Sequence, residues 1–212
     1  MHTSTDGGDV LELRYPFRGR WSVRNSPANR VPSHGTTRFG TAYSIDFVPV
    51  DERGRSAPFT LTSLLRPEQP ERFHGFGRAV LAPLSGRIAA VHDGEPDHMS
   101  VRGLPSIGYA LTQPRRAARG FPGLAGNHLI IQPAAGGPFV ALCHLRLGSI
   151  ALHAGDPVLA GEQVGECGNS GNSTEPHLHL QAMTSLEAAS TEAVSITFPQ
   201  GLPRNGSIVD AP

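Results

Sequence analysis

The stretch GNSGNSTEPHLHLQAM, residues 168–183, decides the fold and points to the chemistry. Read as a strand, its His177-Leu178-His179 places both imidazoles on one face and sends Leu178 into the core behind them, because strand side chains alternate with a period of two. Two histidines side by side are costly unless a metal or a substrate uses them, yet H-x-H alone fits a structural pair equally well. The segment before it is turn chemistry. Gly168 and Gly171 accept positive φ, and Asn and Ser side chains bond their own backbone, so a tight bend is expected just ahead of the strand. A phosphate cradle would need Gly-Lys-Ser/Thr, and the chain contains no lysine. A nucleophile elbow would need G-x-S-x-G, and Ser170 is followed by Gly171-Asn172.

Working outward, short β-prone runs follow one another closely: NHLIIQP (127–133), FVALCHL (139–145), SIALH (149–153), QVGECG (163–168) and, downstream, AVSITF (193–198). Toward the N-terminus, VLELRYPFRGRWSV (10–23) alternates but is broken by Pro16 and Gly19. TAYSIDFVPV (41–50) puts Tyr43, Ile45 and Phe47 on one face and Ser44, Asp46 and Val48 on the other. RAVLAPLSGRIAAVHDG (78–94) reads as two strands around a turn at Pro83–Gly86, and its VLAPLSGRI is faintly echoed by VLAGEQVG (158–165). Many short strands with close turns predict an all-β domain built on an antiparallel sheet. The expected organisation is a lead-in at 1–9, a single domain over 10–200 with its core at 126–183, and a tail at 201–212. A Gly/Pro/Arg-rich insertion loop covers 92–127, long enough to be functional or ordered by a short helix.

Composition bounds the function. The 212 residues suit one domain at roughly 100 to 200 residues per domain. The 25 glycines and 19 prolines argue against long helical bundles. A formal net charge of +0 predicts no strong attraction to nucleic acid or to an anionic membrane. All 18 basic residues are arginine, which removes P-loop lysines, Schiff-base lysines and lipoyl or biotinyl carriers. No apolar run approaches the roughly 18 residues of a membrane span. The opening MHTSTDGGDV is polar and acidic, without the layout of a secretory signal. A cytoplasmic location is expected for the chain as written, or an exported one if a leader is missing.

The chemistry-bearing residues outside 168–183 are few. His144 lies in FVALCHL, alternating with Cys143. His34 follows Pro32 in a loop, and Asp46 sits between Ile45 and Phe47, where a carboxylate needs a partner to offset its desolvation. Each has a structural reading too: a strand histidine, a turn histidine, an aspartate bonded to backbone or Arg. Cys143 and Cys167 are expected as free buried thiols. H-E-x-x-H and C-x-x-C are both absent, so any metal must take histidine and carboxylate ligands, which suits a catalytic zinc with an open position.

Together these elements resemble a known family. Gly126-Asn127, His144-Leu145, Gly148-Ser149, Gly155-Asp156-Pro157-Val158, Gly161 with Gly165, and Gly168-Asn169-Ser170-Gly171 ahead of His177-Leu178-His179 follow the order of the catalytic core of the lysostaphin-type zinc metalloendopeptidases. The likeness covers about residues 31–198 and is weakest across 95–125. It implies a duplicated hybrid β-motif with long connecting loops and a substrate groove. It implies one zinc per chain, held by His34, Asp46 and His179, with His144 and His177 as the catalytic pair. It also implies a peptide or peptidoglycan-fragment substrate, cut in crosslinks or stem peptides and often at glycine. Partner proteins are not indicated, and neither nucleic acid nor membrane is expected.

One departure stands out. The family's upstream histidine and aspartate are four apart, whereas His34 and Asp46 are twelve apart, so GTTRFGTAYS (35–44) must fold back, which Gly35 and Gly40 ease. His74, His92 and His98 are the substitutes for His34. A domain that had lost its metal would instead be a peptidase-like binding or activator module. In the insertion, Arg102, Arg115, Arg116 and Arg119 are expected either to form a groove wall that reads an acidic group on the substrate or to be a solvated surface.

Overall fold

Short apolar-rich runs bounded by turn residues become extended strands, the central ones buried along nearly their whole length. The computed structural model describes residues 10–187 and 190–212. The lead-in read at 1–9 lies outside the described residues. The first strands are β1 (Leu11–Glu12), β2 (Gly19–Arg24), β3 (Ile45–Pro49), β4 (Ala79–Leu81) and β5 (Gly86–His92). Next come the short helices α1 (Leu104–Leu111), α2 (Gln113–Ala117) and α3 (Gly120–Ala125). Then follow β6 (Asn127–Pro133), β7 (Phe139–Leu145), β8 (Pro157–Val158), β9 (Gln163–Glu166), β10 (Leu178–Met183), β11 (Ala193–Val194), β12 (Ile196–Thr197) and β13 (Ile208–Ala211).

A nine-stranded sheet runs in the order β13-β2-β3-β10-β7-β6-β5-β8, with β11 also on β10. Its pairings are antiparallel, so the fold is the expected mostly antiparallel β structure with few helices. Two-stranded pieces, β4 with β9 and the parallel β1 with β12, flank it. One face carries the core, where Leu178, Leu180 and Ala182 of β10 meet Trp21, Phe17, Phe47 and Phe198. Each such side chain contributes about 1.5–3 kcal/mol by burial. On the other face, Ile130, Ala141, Cys143 and Met183 form a thinner apolar layer with Ala125 of α3. The central strands are therefore covered on both sides, as their nearly unbroken apolar sequences require.

Three sequence readings change. Residues 149–153 are not a strand. Asp93 takes the amides of Gly148 and Ile150, and Asp156 takes that of His153, so carboxylates do the work of a neighbouring strand. The 201–212 segment is no loose tail: a turn at Asn205-Gly206 returns it to β2, and β13 pairs there from Ile208 to Ala211. The insertion is mostly helical. Pro105 and Pro114 begin α1 and α2, and Gly103, Gly120 and Gly126 punctuate the helices at positive φ.

The end of α3 meets the loop before β10 backbone to backbone. A Cβ on Gly171 would lie 2.3 Å from the Gly126 nitrogen, and one on Gly126 would lie 2.5 Å from the Ser170 carbonyl carbon. Both glycines also have positive φ. Gly126→Ala and Gly171→Ala are each expected to destabilise the protein by more than ~1 kcal/mol in urea unfolding. Gly108→Ala, in α1 with open space around it, should be neutral or slightly stabilising. A Gly171→Ala protein as stable as the parent would show that this contact does not hold the loop.

Candidate active site

Strand register assembles the site. Asp46 of β3 lies directly across from His179 of β10, and His179 lies across from Cys143 of β7. These three side chains therefore point to the same face, above Leu178 and Phe47. His177, two residues before His179, joins them from the mouth of β10. His144 arrives differently. Asn127 pairs with Leu145 and Leu129 with Leu142, so Cys143 and His144 together oppose the single residue His128. This bulge, with His144 at φ 63, turns the His144 ring onto the face that Cys143 already occupies. Simple alternation placed these two on opposite faces; the extra residue is why both line one cleft.

The 34–44 loop does fold back. His34 Nε2 lies 3.0 Å from Asp46 Oδ2, and His179 Nδ1 lies 2.9 Å from Asp46 Oδ1. One ligand atom from each of the three residues falls within 4.8 Å of the others. The far nitrogens fix the tautomers. Gln181 donates its amide to the Phe39 carbonyl at 2.8 Å, so its Oε1 accepts the His179 Nε2–H at 3.0 Å. Ser44 donates its hydroxyl to the Thr41 carbonyl at 2.7 Å, so its oxygen accepts the His34 Nδ1–H at 2.8 Å. Both imidazoles thus turn bare lone pairs toward Asp46. Burial opposes ionisation of Asp46; charged imidazoles at His34 and His177, with hydrogen bonds from His179 and His34, would hold its carboxyl well below its usual range. Asn25 supplies one proper donor, its Nδ2 at 2.7 Å from Oδ2. Otherwise acceptors face acceptors at hydrogen-bond distance, an arrangement that needs a proton or a cation between them. The donor set fits a zinc ion.

The other two histidines are oriented by carbonyls. His177 Nδ1 donates to the Glu175 carbonyl at 2.8 Å, beside Ser173 Oγ at 3.0 Å. His144 Nδ1 donates to the Ser170 carbonyl at 2.9 Å. Each keeps Nε2 free in the cleft, with ring centroids 4.6 Å apart and His177 Nε2 at 3.9 Å from Asp46 Oδ1. Burial, followed by the fields of His177 and His179, pulls the His144 pKa well below its ordinary value, so that ring is neutral. Ser170 is no nucleophile: its hydroxyl donates to the Leu145 carbonyl and accepts from the Asn127 amide. Burial pushes the Cys143 thiol up, and the Asp46 charge adds to this, so it is not a thiolate at neutral pH.

The five residues face a cleft of about 300 Å³. The 34–41 loop forms one wall and α3 the other, and Phe39 and Phe121 approach across it with centroids 6.3 Å apart. Residues 113–191 match the model of peptidase family M23. The likeness to lysostaphin-type peptidases read from the sequence is shown by this match. It supports a peptidase. The M23 segment contains His144, His177 and His179, while His34 and Asp46 lie upstream of it.

Among solved structures, the catalytic domain of the antimicrobial peptidase lysostaphin from Staphylococcus simulans aligns at 20% identity over 71% of this chain and 74% of that one, with a TM-score of 0.41. A longer lysostaphin chain from the same organism aligns at 21% over 65% of this chain and 44% of that one, with a TM-score of 0.38. A zinc-containing peptidase from Vibrio cholerae aligns at 17% over 66% and 43%, with a TM-score of 0.34. The chain thus spans less than half the length of these two longer proteins. No curated protein matches it significantly.

The structure gathers His34, Asp46, His144, His177 and His179 at one place. The substitutes for His34 sit elsewhere: His74 by Asp51, His92 stacked on His128, and His98 beneath Tyr109. Sequence reasoning missed Asn25, Ser44 and Gln181 as supports. Ser44 and Gln181 each stand two residues from a site residue, so period two could have found them; nothing in the sequence marks Asn25.

The insertion does line the cleft, through Gln113, Phe121, Leu124 and Ala125. None of its arginines does. Arg102 is paired with Glu68 and Arg119 with Glu95. Arg116 bonds Asn172, Thr112 and the Tyr109 carbonyl, with its guanidinium 3.7 Å from the Tyr109 ring centroid. Arg116→Ala is therefore expected to destabilise the protein by about 1–2 kcal/mol in chemical unfolding. Arg115→Ala, at an exposed position outside the cleft, should change stability little. Equal effects would mean that the Arg116 contacts do not fasten the insertion.

Proposed function

We propose that the chain is a zinc-dependent endopeptidase that hydrolyses peptide bonds in peptidoglycan crosslinks or stem peptides. The observation that carries this reading is the convergence of two imidazole nitrogens, His34 Nε2 and His179 Nδ1, on the buried Asp46 carboxylate in an open cleft. His34 Nε2, Asp46 and His179 Nδ1 would hold the metal, one per chain. Zinc bound there would supply Lewis acidity toward the scissile carbonyl and bring the pKa of water down to about 7.

The remaining chemistry belongs to the two orienting histidines. His177, anchored through Nδ1, presents Nε2 beside Asp46 and takes the proton of the attacking water. His144, neutral and anchored on the Ser170 carbonyl, presents a second Nε2 on the same side. With ring centroids 4.6 Å apart, the two imidazoles resist being charged together, so one proton passes between them and on to the leaving amine. No glutamate base is required, which agrees with the missing H-E-x-x-H motif. The peptidoglycan substrate rests on the resemblance of the M23 segment to lysostaphin-type enzymes; the cleft alone supports cleavage of an amide.

Elemental analysis of protein purified without chelator should give close to one zinc per chain, lost in Asp46→Ala and in His179→Ala. His144→Ala and His177→Ala should retain zinc and lose about 10²–10⁴-fold in hydrolysis of glycine-rich peptides and peptidoglycan fragments. Protein that holds no metal and cannot be reconstituted would be the binding or activator module instead. Metal loss in His177→Ala equal to that in His179→Ala would reverse the assignment within the pair.

A further inference from the structure

A second, smaller cavity of about 260 Å³ adjoins the first and shares Asn25, Asp46, Thr174 and His177 with it. To these it adds Arg24, Val48, Glu175 and Asn205. Arg24 ends β2 and lies directly across from Asp46, so both side chains rise from the same face of the sheet. Cross-strand neighbours have Cβ atoms about 4.5–5.5 Å apart. The Arg24 side chain therefore rises at the rim of the cleft from the strand next to Asp46, beyond ion-pair distance of that carboxylate.

Among the described residues, Arg24 forms no ion pair and no side-chain hydrogen bond, and it is the only arginine lining either cavity. The insertion arginines with hydrogen-bonded or ion-paired side chains, Arg102, Arg116 and Arg119, are engaged within the protein. The other acidic side chain in this cavity besides Asp46 is engaged: Glu175 Oε2 accepts the Ser56 hydroxyl at 2.5 Å. Arg24 is thus a cation that the fold leaves exposed at the open end of the cleft, away from the Phe39–Phe121 crossing.

We propose that Arg24 is a specificity-determining residue that anchors a carboxylate of the substrate close to the bond being cut. A guanidinium binds a carboxylate through two parallel hydrogen bonds, which selects both charge and orientation. An extended peptide advances about 3.3–3.6 Å per residue, so a group beside Asp46 on the next strand meets the substrate one or two residues from the scissile bond. The substrate class is then a peptide with a free carboxyl, on a side chain or at the terminus, at that position. This inference rests on the peptidase reading and specifies its substrate.

The test uses peptides with a central Gly-Gly and a single Glu or Gln scanned through the two residues on either side, together with peptidoglycan fragments whose carboxyls are free or amidated. The wild-type protein should favour one acidic position over its neutral counterpart by about tenfold or more. Arg24→Gln should abolish that preference through KM, with kcat on the neutral peptide and zinc content unchanged. Arg115→Gln, which removes the same charge outside both cavities, should keep the preference. Equal use of acidic and neutral substrates by the wild type, or a preference that survives in Arg24→Gln, overturns the proposal.

If the wild type cleaves nothing, the peptidase reading fails, and calorimetric binding of the same peptides decides the question for Arg24. Binding that depends on the carboxylate and disappears in Arg24→Gln upholds the anchor. Binding without that dependence, or none, overturns it.

Discussion

The site is built around a contact that is unfavourable by itself. Asp46 is buried, and its carboxylate oxygens face His34 Nε2 and His179 Nδ1 at 3.0 and 2.9 Å, which neutral imidazoles anchored at their far nitrogens would present as lone pairs. Burying a carboxylate among acceptors costs several kcal/mol unless positive charge compensates it. The rest of the site keeps the contact in place. Antiparallel register fixes Asp46 opposite His179, and the large core beneath β3 and β10 makes a one-residue slip prohibitive, since every apolar side chain would change face. Gln181 and Ser44 then deny each imidazole the alternative of turning its proton toward the carboxylate. Sheet packing and tautomer control act together to produce a concentrated demand for a cation.

A second constraint is the bulge on β7. A regular strand would have sent His144 into the core, where an imidazole has no place among Leu129, Leu142 and Leu145. The extra residue and the left-handed backbone at His144 bring the ring out on the same side as His179. Strain of this kind costs about 1–3 kcal/mol and persists only where surrounding contacts over-determine it. Here the His144 carbonyl accepts the Gly168 amide, and the His144 ring bonds the Ser170 carbonyl. The GNSG turn, which drew notice as possible catalytic chemistry, is the mould that holds the bulge.

Where a short apolar run between turn residues sets the backbone, the strand is legible to the residue: NHLIIQP and FVALCHL are β6 and β7 at their full length. Legibility fails where side chains replace a strand as hydrogen-bond partner, as Asp93 and Asp156 do along 148–153. The closing strand β13 was missed although Asn205-Gly206 is an ordinary turn signal, because four residues after it gave too short a pattern. Among site residues, the H-x-H pair follows from strand geometry alone. His34 does not: it stands out only as a loop histidine, the resemblance alone gives it the ligand role, and a fold-back of twelve residues leaves no periodicity to read. Asn25 was beyond reach, since its approach to Asp46 depends on how β2 ends rather than on any local pattern.

The insertion shows why arginines cannot be assigned from composition. A stretch rich in Arg, Gly and Pro suggested a cationic wall, but three helices this short cannot stand alone in water. They are fastened by those same arginines: Arg119 to Glu95, Arg102 to Glu68, and Arg116 to the turn at Asn172. Tyr109 adds its hydroxyl to the Gly171 carbonyl, and the Asn172 amide bonds Leu124 of α3. The cleft wall and the GNSG turn therefore form one hydrogen-bonded unit. That unit includes the Ser170 carbonyl, on which the His144 ring depends. Displacing the helices would move the His144 ring as well as the wall, so the shape of the cleft and the placement of that imidazole are coupled through a few polar contacts. The insertion is thereby a structural support of the site.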